Sequence, residues 1–390
     1  MMSLRVQLYF LIYSLVLLLG WMLLSGAPPL MDETLHLRQV VRFASGDFTL
    51  YRRLEMLPTF HFIYASWTKL VGSESIQSLR FFTLLWSMCL FAAAWYGSAK
   101  AEAASKVWQI FTLPILFPYL FLVYTDVPAL VFLVLAFALV TQRKPKLACA
   151  AMTTATLLRQ NHLVWFPFVI YLACVSDVAD RKKRLFQLWY FFLPPVGFVA
   201  YFLWHGGVSI QVPAGVAEVS MHPGNLIFLL ALLPVLFFPL FIERSNRLLT
   251  KVQSLKIVLF VVTVWALSFY FFSALHPFNK FSGHLRTYLF LALEVDPVAK
   301  AGFAALAASG ALFLVSELFE KRVGIVLAIS SVLALYPLKL VEVRYLLPTV
   351  VLGVLLKRES SLKWARVQGI YGLALSALMF VGMVCEWWFW

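Results

Sequence analysis

Apolar runs near the length of a bilayer's hydrocarbon core recur from end to end of the chain, each closed by a short cluster of polar or charged residues. Their lengths and flanks predict helices over 7–27, 77–97, 107–123, 125–141, 147–159, 162–176, 186–204, 225–242, 256–274, 300–316, 323–337, 343–356 and 367–385. Alternating ten-residue segments of the kind that build a barrel do not recur, so the backbone has to be satisfied within helices. The pattern predicts an all-α polytopic membrane protein. Segments 147–159 and 162–176 can form one broken unit, which gives about eleven to thirteen transmembrane helices. The stretch "PTFHFIYASWTKLVG" (58–72) is too short to span and reads as an interfacial or re-entrant helix.

Composition agrees with this reading: 62% of the 390 residues are hydrophobic and 13% charged, a balance that a water-exposed surface would not tolerate over this length. Ser25 and Ala27 are small residues at a cleavage-like spacing. The apolar run before them exceeds a signal core and Pro28 would follow the scissile bond, so 7–27 is expected to stay as an anchor. Cys89, Cys149, Cys174 and Cys385 lie in apolar windows without metal-ligand spacing or a paired framework, and read as packing residues.

The net charge of +14 acquires meaning only once it is located. With the N-terminus inside, the cytoplasmic loops collect 20 of the 32 basic residues and 7 of the 18 acidic ones, in short runs such as "RKPK" and "DRKKR". The positive charge is thus an orientation signal and not a nucleic-acid surface. No internal repeat or soluble domain stands out, so the chain reads as a single membrane-embedded domain, 1–390. Its non-cytoplasmic loops, about 28–58, 205–224 and 275–299, hold mixed charge, histidine and glycine, the composition of binding loops.

Every unusual polar cluster falls at that non-cytoplasmic face: "MDETLH" (31–36), "YTD" (124–126), "RQNH" (159–162), "HGG" (205–207), "HPFN" (276–279), "HLRT" (284–287) and "VEVRY" (341–345). Asp126, Arg159, Glu342 and Arg344 at membrane depth need partners, and they can pair with one another as structural ion pairs or line a watery site. Asp126 can instead cap the helix that starts at Val127-Pro128. Asp32 and Glu33 point about 100° apart on a helix, so they do not form one paired-carboxylate site. Asp32 either caps the helix Glu33–Phe43 or serves as a base beside the bilayer surface. The histidines lack helical i,i+4 or short ligand spacing, which leaves a metal unsupported. No DxD element, glycine-rich phosphate loop or nucleophile elbow is present, and Glu294-Val-Asp296 reads as a solvated loop end. An activated donor would therefore arrive in lipid-linked form.

These motifs resemble a specific family, the endoplasmic-reticulum α-1,2-glucosyltransferases that transfer glucose from dolichyl-phosphate glucose to the lipid-linked oligosaccharide. "MDETLHLRQ" is similar to the family's first-loop pattern, followed by "SGDF" (45–48) and "LP" (57–58). "LVYTD", "RQNHLVW" (159–165), "WHGGV" (204–208) and "LVEVRY" (340–345) are similar to its later motifs. The chain departs from the pattern at "FSGHLRT" (281–287), where Ser282 and Gly283 replace an acid and an amide. It departs again at Ile210, Gln211 and Val212, near the place of a Gly-Asp-Lys, and it lacks the family's long cytoplasmic insertion.

The resemblance implies the GT-C architecture, a first external loop that carries the catalytic carboxylate, and no bound metal or other cofactor. It implies a prenyl-phosphate sugar donor and a lipid-linked glycan acceptor as partners, within membrane lipids and without nucleic acid. The membrane is either a bacterial or archaeal plasma membrane or that of the endoplasmic reticulum, with the site on the non-cytoplasmic side. Inverting transfer needs a base for the acceptor hydroxyl and cations for the departing phosphate. The base is assigned to Asp32 with Glu33 as substitute, and the phosphate to Arg344 and Arg159 with help from His284 or Arg286. His36, Gln39, Tyr124, Asp126, Gln160, Asn161, Trp165, His276, Glu342 and Tyr345 complete the candidates for sugar and acceptor contacts. Tyr124, Trp165 and Tyr345 can equally be interfacial aromatic anchors. The alternatives are a GT-C transferase for another prenyl-phosphate sugar, a transporter or flippase for a lipid-linked sugar, or an inactive scaffold. A transporter would show mid-membrane charges and inverted repeats.

Overall fold

A computed structural model describes residues 4–51, 56–98, 102–175, 188–205, 221–244, 255–274, 276–280, 285–318, 322–357, 361–385 and 387. The chain divides into two compact units, Met1–Val107 with Pro118–Ala217, and Trp108–Phe117 with Glu218–Trp390. The architecture is all-α, as the hydropathy pattern predicts.

The first unit contains α1 (Leu4–Ser25), α2 (Glu33–Ala44), α3 (Thr59–Val71), α4 (Ile76–Gly97), the start of α5 (Ala103–Phe111), α6 (Asp126–Thr141), α7 (Pro145–Leu158), α8 (Phe166–Val175) and α9 (Leu193–His205). α6 is apolar on every face and buried along almost its whole length, as expected of a core helix. It packs against α4, α7 and α8. α1 lays Tyr13, Leu17 and Leu24 inward, with Tyr13 stacked on Phe91 of α4 at 4.9 Å, and turns Leu8, Leu15, Leu19 and Met22 outward. α2 and α3 form a pair whose inner faces, Val40 and Phe43 with Phe60, Tyr64 and Ala65, join Leu79, Ala129 and Leu158 in one cluster. α3 is the short helix expected over 58–72, and it ends at Gly72, whose left-handed φ of 67° suits glycine.

The run 107–123, expected to be a single span, is not one helix. α5 stops at Phe111, and the chain continues through turns and a 3₁₀ segment, Phe117–Leu120. Pro114 and Pro118 explain the break, because each lacks an N–H and clashes with the preceding turn. The irregular backbone is buried, so side chains satisfy it: Ser87 Oγ donates to Leu120 O (2.8 Å), and Val123 N donates to the Glu33 carboxylate (2.9 Å). α7 and α8 do make a broken unit, interrupted at Arg159, whose extended backbone leads into the 3₁₀ segment Gln160–Trp165.

Among the described residues, three helices are long and apolar enough to cross a membrane, Ile76–Gly97, Pro297–Ser316 and Lys363–Val384, or four if a bent pair in the second unit counts as one span. The other apolar helices, such as Asp126–Thr141 and Val343–Leu356, run 10–17 residues, short of the ~20 that a hydrocarbon core requires. The apolar windows continue past these helices into turns and caps, so a window can be longer than the helix it contains.

The second unit contains α10 (Gly224–Leu236), α11 (Phe238–Arg244), α12 (Leu255–Phe271), α13 (Leu285–Val295), α14 (Pro297–Leu318), α15 (Arg322–Leu335), α16 (Val343–Leu356) and α17 (Leu362–Val384). α13 lies within the loop assigned to 275–299 and was not anticipated. α10 and α11 meet at 81°. Pro239 has no N–H for the Val235 carbonyl, which instead accepts from Tyr371 Oη at 2.7 Å, while the Leu236 carbonyl accepts from Gln368 Nε2 at 2.8 Å. Loop residues 206–220 and the basic run 181–184 lie outside the described residues.

α10 and α14 touch backbone to backbone: a Cβ on Gly310 would sit 1.8 Å from the Leu230 carbonyl oxygen, whereas one on Gly302 meets nothing within 4 Å. Gly310→Ala should therefore destabilise the protein by about 1–3 kcal/mol, since the neighbouring backbone cannot yield locally. Gly302→Ala on the same helix should be neutral or stabilising by up to about 1 kcal/mol through helix propensity. Thermal melting of both variants in detergent checks the contrast.

Candidate functional site

The site in the first unit starts where α1 ends. Pro28 and Pro29 prevent the helix from continuing, and Met31 adopts a left-handed φ of 50°, uncommon for a residue with a side chain. Asp32 follows at the N-cap of α2. Its carbonyl accepts from the backbone of Leu35 and His36, and its N–H donates to Tyr124 Oη at 3.2 Å. Its carboxylate makes no cap bond to the helix and is partly exposed. The capping alternative for Asp32 is therefore not realised.

Glu33 is placed quite differently. Its side chain and that of Arg80 on α4 have no exposed surface, and they form a two-pronged ion pair, Arg80 Nε to Glu33 Oε1 at 3.1 Å and Nη2 to Oε2 at 2.6 Å. The remaining guanidinium donors reach the carbonyls of Leu24 (2.6 Å), Ala27 (2.9 Å) and Pro28 (2.9 Å). Each carboxylate oxygen also accepts a backbone N–H, Oε1 from Val123 (2.9 Å) and Oε2 from Leu30 (2.8 Å). All five guanidinium N–H groups are used, the condition under which mutual attraction can offset the desolvation of a buried pair.

One turn along α2, His36 Nδ1 lies 3.0 Å from His61 Nε2 on α3, and both imidazoles are buried. A single proton lies between the two nitrogens. Burial first, and the neighbouring His36 second, hold the His61 pKa well below the usual imidazole value. The His36 ring also meets Tyr124 edge-on at 5.8 Å. Gln39, fully buried, clamps the following loop: its Nε2 donates to Thr49 O (3.1 Å) and its Oε1 accepts from Tyr51 N (2.7 Å).

At the start of α6 and the end of α7, Asp126 and Arg159 form an ion pair with little exposed surface. Thr125 makes no side-chain cap, and Asp126 and Arg159 supply each other with the partner that charges at membrane depth need. Gln160 Oε1 accepts from Leu57 N at 3.2 Å, which ties the end of the α2–α3 loop to the α7–α8 break. Asn161 Oδ1 is buried without a hydrogen-bond partner among the described residues, and Trp165 is a buried packing residue.

In the second unit, Glu342 precedes α16 in extended conformation and pairs with Arg344 Nε at 2.8 Å and, more loosely, with Arg286 Nη1 of α13 at 3.5 Å. Buried Asn225 sets this segment: its Oδ1 accepts from Glu342 N (3.0 Å), and its Nδ2 donates to the carbonyls of Leu338 (3.1 Å) and Leu340 (2.8 Å). The Arg344 guanidinium is 6.0 Å from the ring centre of Tyr345. His276 Nδ1 accepts from Phe278 N at 3.1 Å, and the imidazole is buried. His284 lies outside the described residues. Among the described residues, no group of three or more His, Cys, Asp and Glu could hold a metal ion.

Residues 27–187 match the model of the DIE2/ALG10 family. A relative from the yeast Debaryomyces hansenii, the Dol-P-Glc:Glc(2)Man(9)GlcNAc(2)-PP-Dol alpha-1,2-glucosyltransferase, is 26% identical over 182 residues. That alignment covers 41% of this chain and 38% of the relative, so the two are compared over well under half of each length. No solved structure matches. The DIE2/ALG10 match supports the resemblance carried by the first-loop motifs. It takes in Asp32, Glu33, His36, Gln39, Tyr124, Asp126, Arg159, Gln160, Asn161 and Trp165, and leaves Arg286, Glu342 and Arg344 outside its bounds.

Within the DIE2/ALG10-like segment, sequence reasoning overlooked Arg80, which sits in "QSLRFF" inside a predicted span and reads there as an isolated charge. The usable signal was its location: a charge within a span demands a partner. Neither His61 nor Asn225 is singled out by spacing or motif in the sequence.

The His61 imidazole is kept neutral in the fold but takes up a proton in the unfolded chain near the ordinary value of 6.5. Its contribution to stability is therefore full above that pH and is lost progressively as pH falls below it. Melting temperature in detergent should be level from about pH 8 to 7 and decline towards about pH 5, with a shallower decline in His61→Gln.

Proposed function

We propose that the chain is an inverting glycosyltransferase that moves a hexose, glucose by the name of its relative, from a prenyl-phosphate donor to a lipid-linked or cell-envelope glycan on the non-cytoplasmic face. In the transfer, Asp32 takes the proton of an acceptor hydroxyl as its oxygen attacks C1 of the sugar. The C1–O bond to phosphate breaks on the opposite side, and prenyl phosphate departs. A β-linked donor thereby gives an α-linked product.

The observation that carries the assignment is the contrast between two adjacent carboxylates. Glu33 has both oxygens engaged by Arg80 and backbone amides, whereas the Asp32 carboxylate makes no cap bond and is partly exposed. A general base has to reach a substrate hydroxyl at hydrogen-bond distance, which a fully enclosed carboxylate cannot do. Glu33 is accordingly assigned to support and Asp32 to chemistry.

Arg159 in the first unit and, separately, Arg344 and Arg286 with His284 in the second are each proposed as candidates for the donor phosphate. Each arginine is balanced by a carboxylate, Asp126 or Glu342, and a guanidinium keeps its charge and offers a fork of donors that one carboxylate does not exhaust. His36, Tyr124, Asn161, His276 and Tyr345 remain proposed contacts to sugar or acceptor. Gln39 and Gln160 engage loop backbone, and we assign them to shaping the first external loop.

Transfer from synthetic prenyl-phosphate glucose to a panel of lipid-linked glycans tests the reading. Asp32→Asn, which keeps the shape but not the basicity, should lower turnover at least about a hundredfold. Undiminished turnover would remove Asp32 from the role of base.

A further inference from the structure

Three segments of the first unit converge on one buried ion pair. The last turn of α1 supplies the carbonyl of Leu24, the link into α2 supplies the carbonyls of Ala27 and Pro28 and the Leu30 N–H, and the chain before α6 supplies the Val123 N–H. All five groups bind Arg80 or Glu33. Asp32 lies inside this arrangement, one residue from Glu33 and two from Leu30, with its own N–H on Tyr124 Oη. The backbone on both sides of Asp32 is thus pinned by groups that Arg80 and Glu33 hold.

We infer that Arg80 and Glu33 are positioning residues for Asp32: they fix the carboxylate at the mouth of α2 and set the electrostatic balance in which it works. The inference rests on the reading of Asp32 as the base. Arg80 suits the task because only a guanidinium offers five donors in a rigid plane, enough to hold three carbonyls and a carboxylate together. A lysine would keep the charge but supply three donors, leaving at least two of these acceptors unsatisfied.

The pair is neutral as a whole, so its charge near Asp32 is cancelled, and removing one member exposes the other. Among the described residues, His36 on α2, which meets His61 of α3 and the Tyr124 ring, and Tyr124, which accepts from the Asp32 N–H, are titratable groups at this helix start. None of them changes in the variants below. Glu33→Gln leaves Arg80 uncompensated, which favours the ionised form of Asp32, and Arg80→Gln leaves Glu33 uncompensated, which disfavours it. A purely structural role would not produce shifts of opposite sign.

The test uses the full chain purified in detergent, with β-linked prenyl-phosphate glucose as donor and a lipid-linked oligosaccharide on which the unaltered protein turns over. The readouts are kcat, donor KM and the acidic limb of the kcat–pH profile. In Glu33→Gln the limb should move down by roughly one pH unit, and in Arg80→Gln up by about as much. The double variant should return it to the original position. kcat should fall at least about tenfold in all three through misplacement of the base, with donor KM within about threefold. If a lone buried charge prevents either single variant from folding, the double variant and Arg80→Lys carry the test. Both should show reduced kcat with an unmoved limb. Limbs that coincide in the foldable single variants, or that move in one direction, would overturn the inference, as would unreduced kcat in the double variant and Arg80→Lys. Asp32→Asn separates the two claims: if it abolishes turnover while the Arg80 and Glu33 variants behave like the original protein, only the positioning role fails. If Asp32→Asn is fully active, the base assignment fails and the positioning role with it.

Discussion

A charge cut off from water must find its whole coordination within the protein, and in the first unit that constraint is met by Glu33 and Arg80. Losing either partner would leave the other buried and unpaired, which typically costs 3–5 kcal/mol, a large share of what a folded domain has in hand. The pair is also the means by which other problems are solved. The Leu24 carbonyl in the last turn of α1 and those of Ala27 and Pro28 in the link beyond it lie where Pro28 and Pro29 interrupt the chain, and the guanidinium donates to all three. The Val123 amide, stranded in irregular chain after Pro118, finds its acceptor in the carboxylate. One interaction therefore permits a helix end, a sharp change of direction and a non-helical buried segment to coexist around Asp32.

The same logic appears at smaller scale elsewhere. Asp126 neutralises Arg159 where α7 breaks, and Glu342 balances Arg344 and Arg286 at the start of α16. Buried amides do for backbone what these carboxylates do for charge. Gln39 closes the loop around residues 49–51, and Asn225 holds three backbone groups between 338 and 342. In each case the groups served lie at a helix end or in a loop, where regular hydrogen bonding is interrupted and backbone needs outside partners.

Much of this was legible in the chain. Apolar windows locate most helices, and the short helix 58–72 and the broken unit at Arg159 follow from length and punctuation. What hydropathy misjudged was continuity. "LPILFPYLFLVY" is as apolar as any span, yet Pro114 and Pro118 prevent it from being one, and a window average does not register a missing N–H. The candidate site was legible as residue types at helix ends, but the different placement of the Asp32 and Glu33 side chains was not. It depends on Arg80, 47 positions from Glu33, and long-range pairing leaves no trace in local pattern. Arg159 and Asp126, flagged together as charges needing partners, were the more readable case because both stand in polar clusters at helix ends.

The contrast between neighbouring carboxylates also bears on why an acid pair is placed there at all. On a helix, adjacent residues face directions about 100° apart, so one can enter the protein while the next stays at its margin. Burying Glu33 fixes the rotation of α2 about its axis, and that rotation determines where Asp32 can face. A lone aspartate at a helix start would be drawn towards the free backbone amides as a cap, the ordinary outcome for this residue type. Here the left-handed turn at Met31 and the bond from the Asp32 N–H to Tyr124 accompany a start of α2 in which the Asp32 carboxylate makes no such bond. The buried glutamate is thus what allows its neighbour to be something other than a cap.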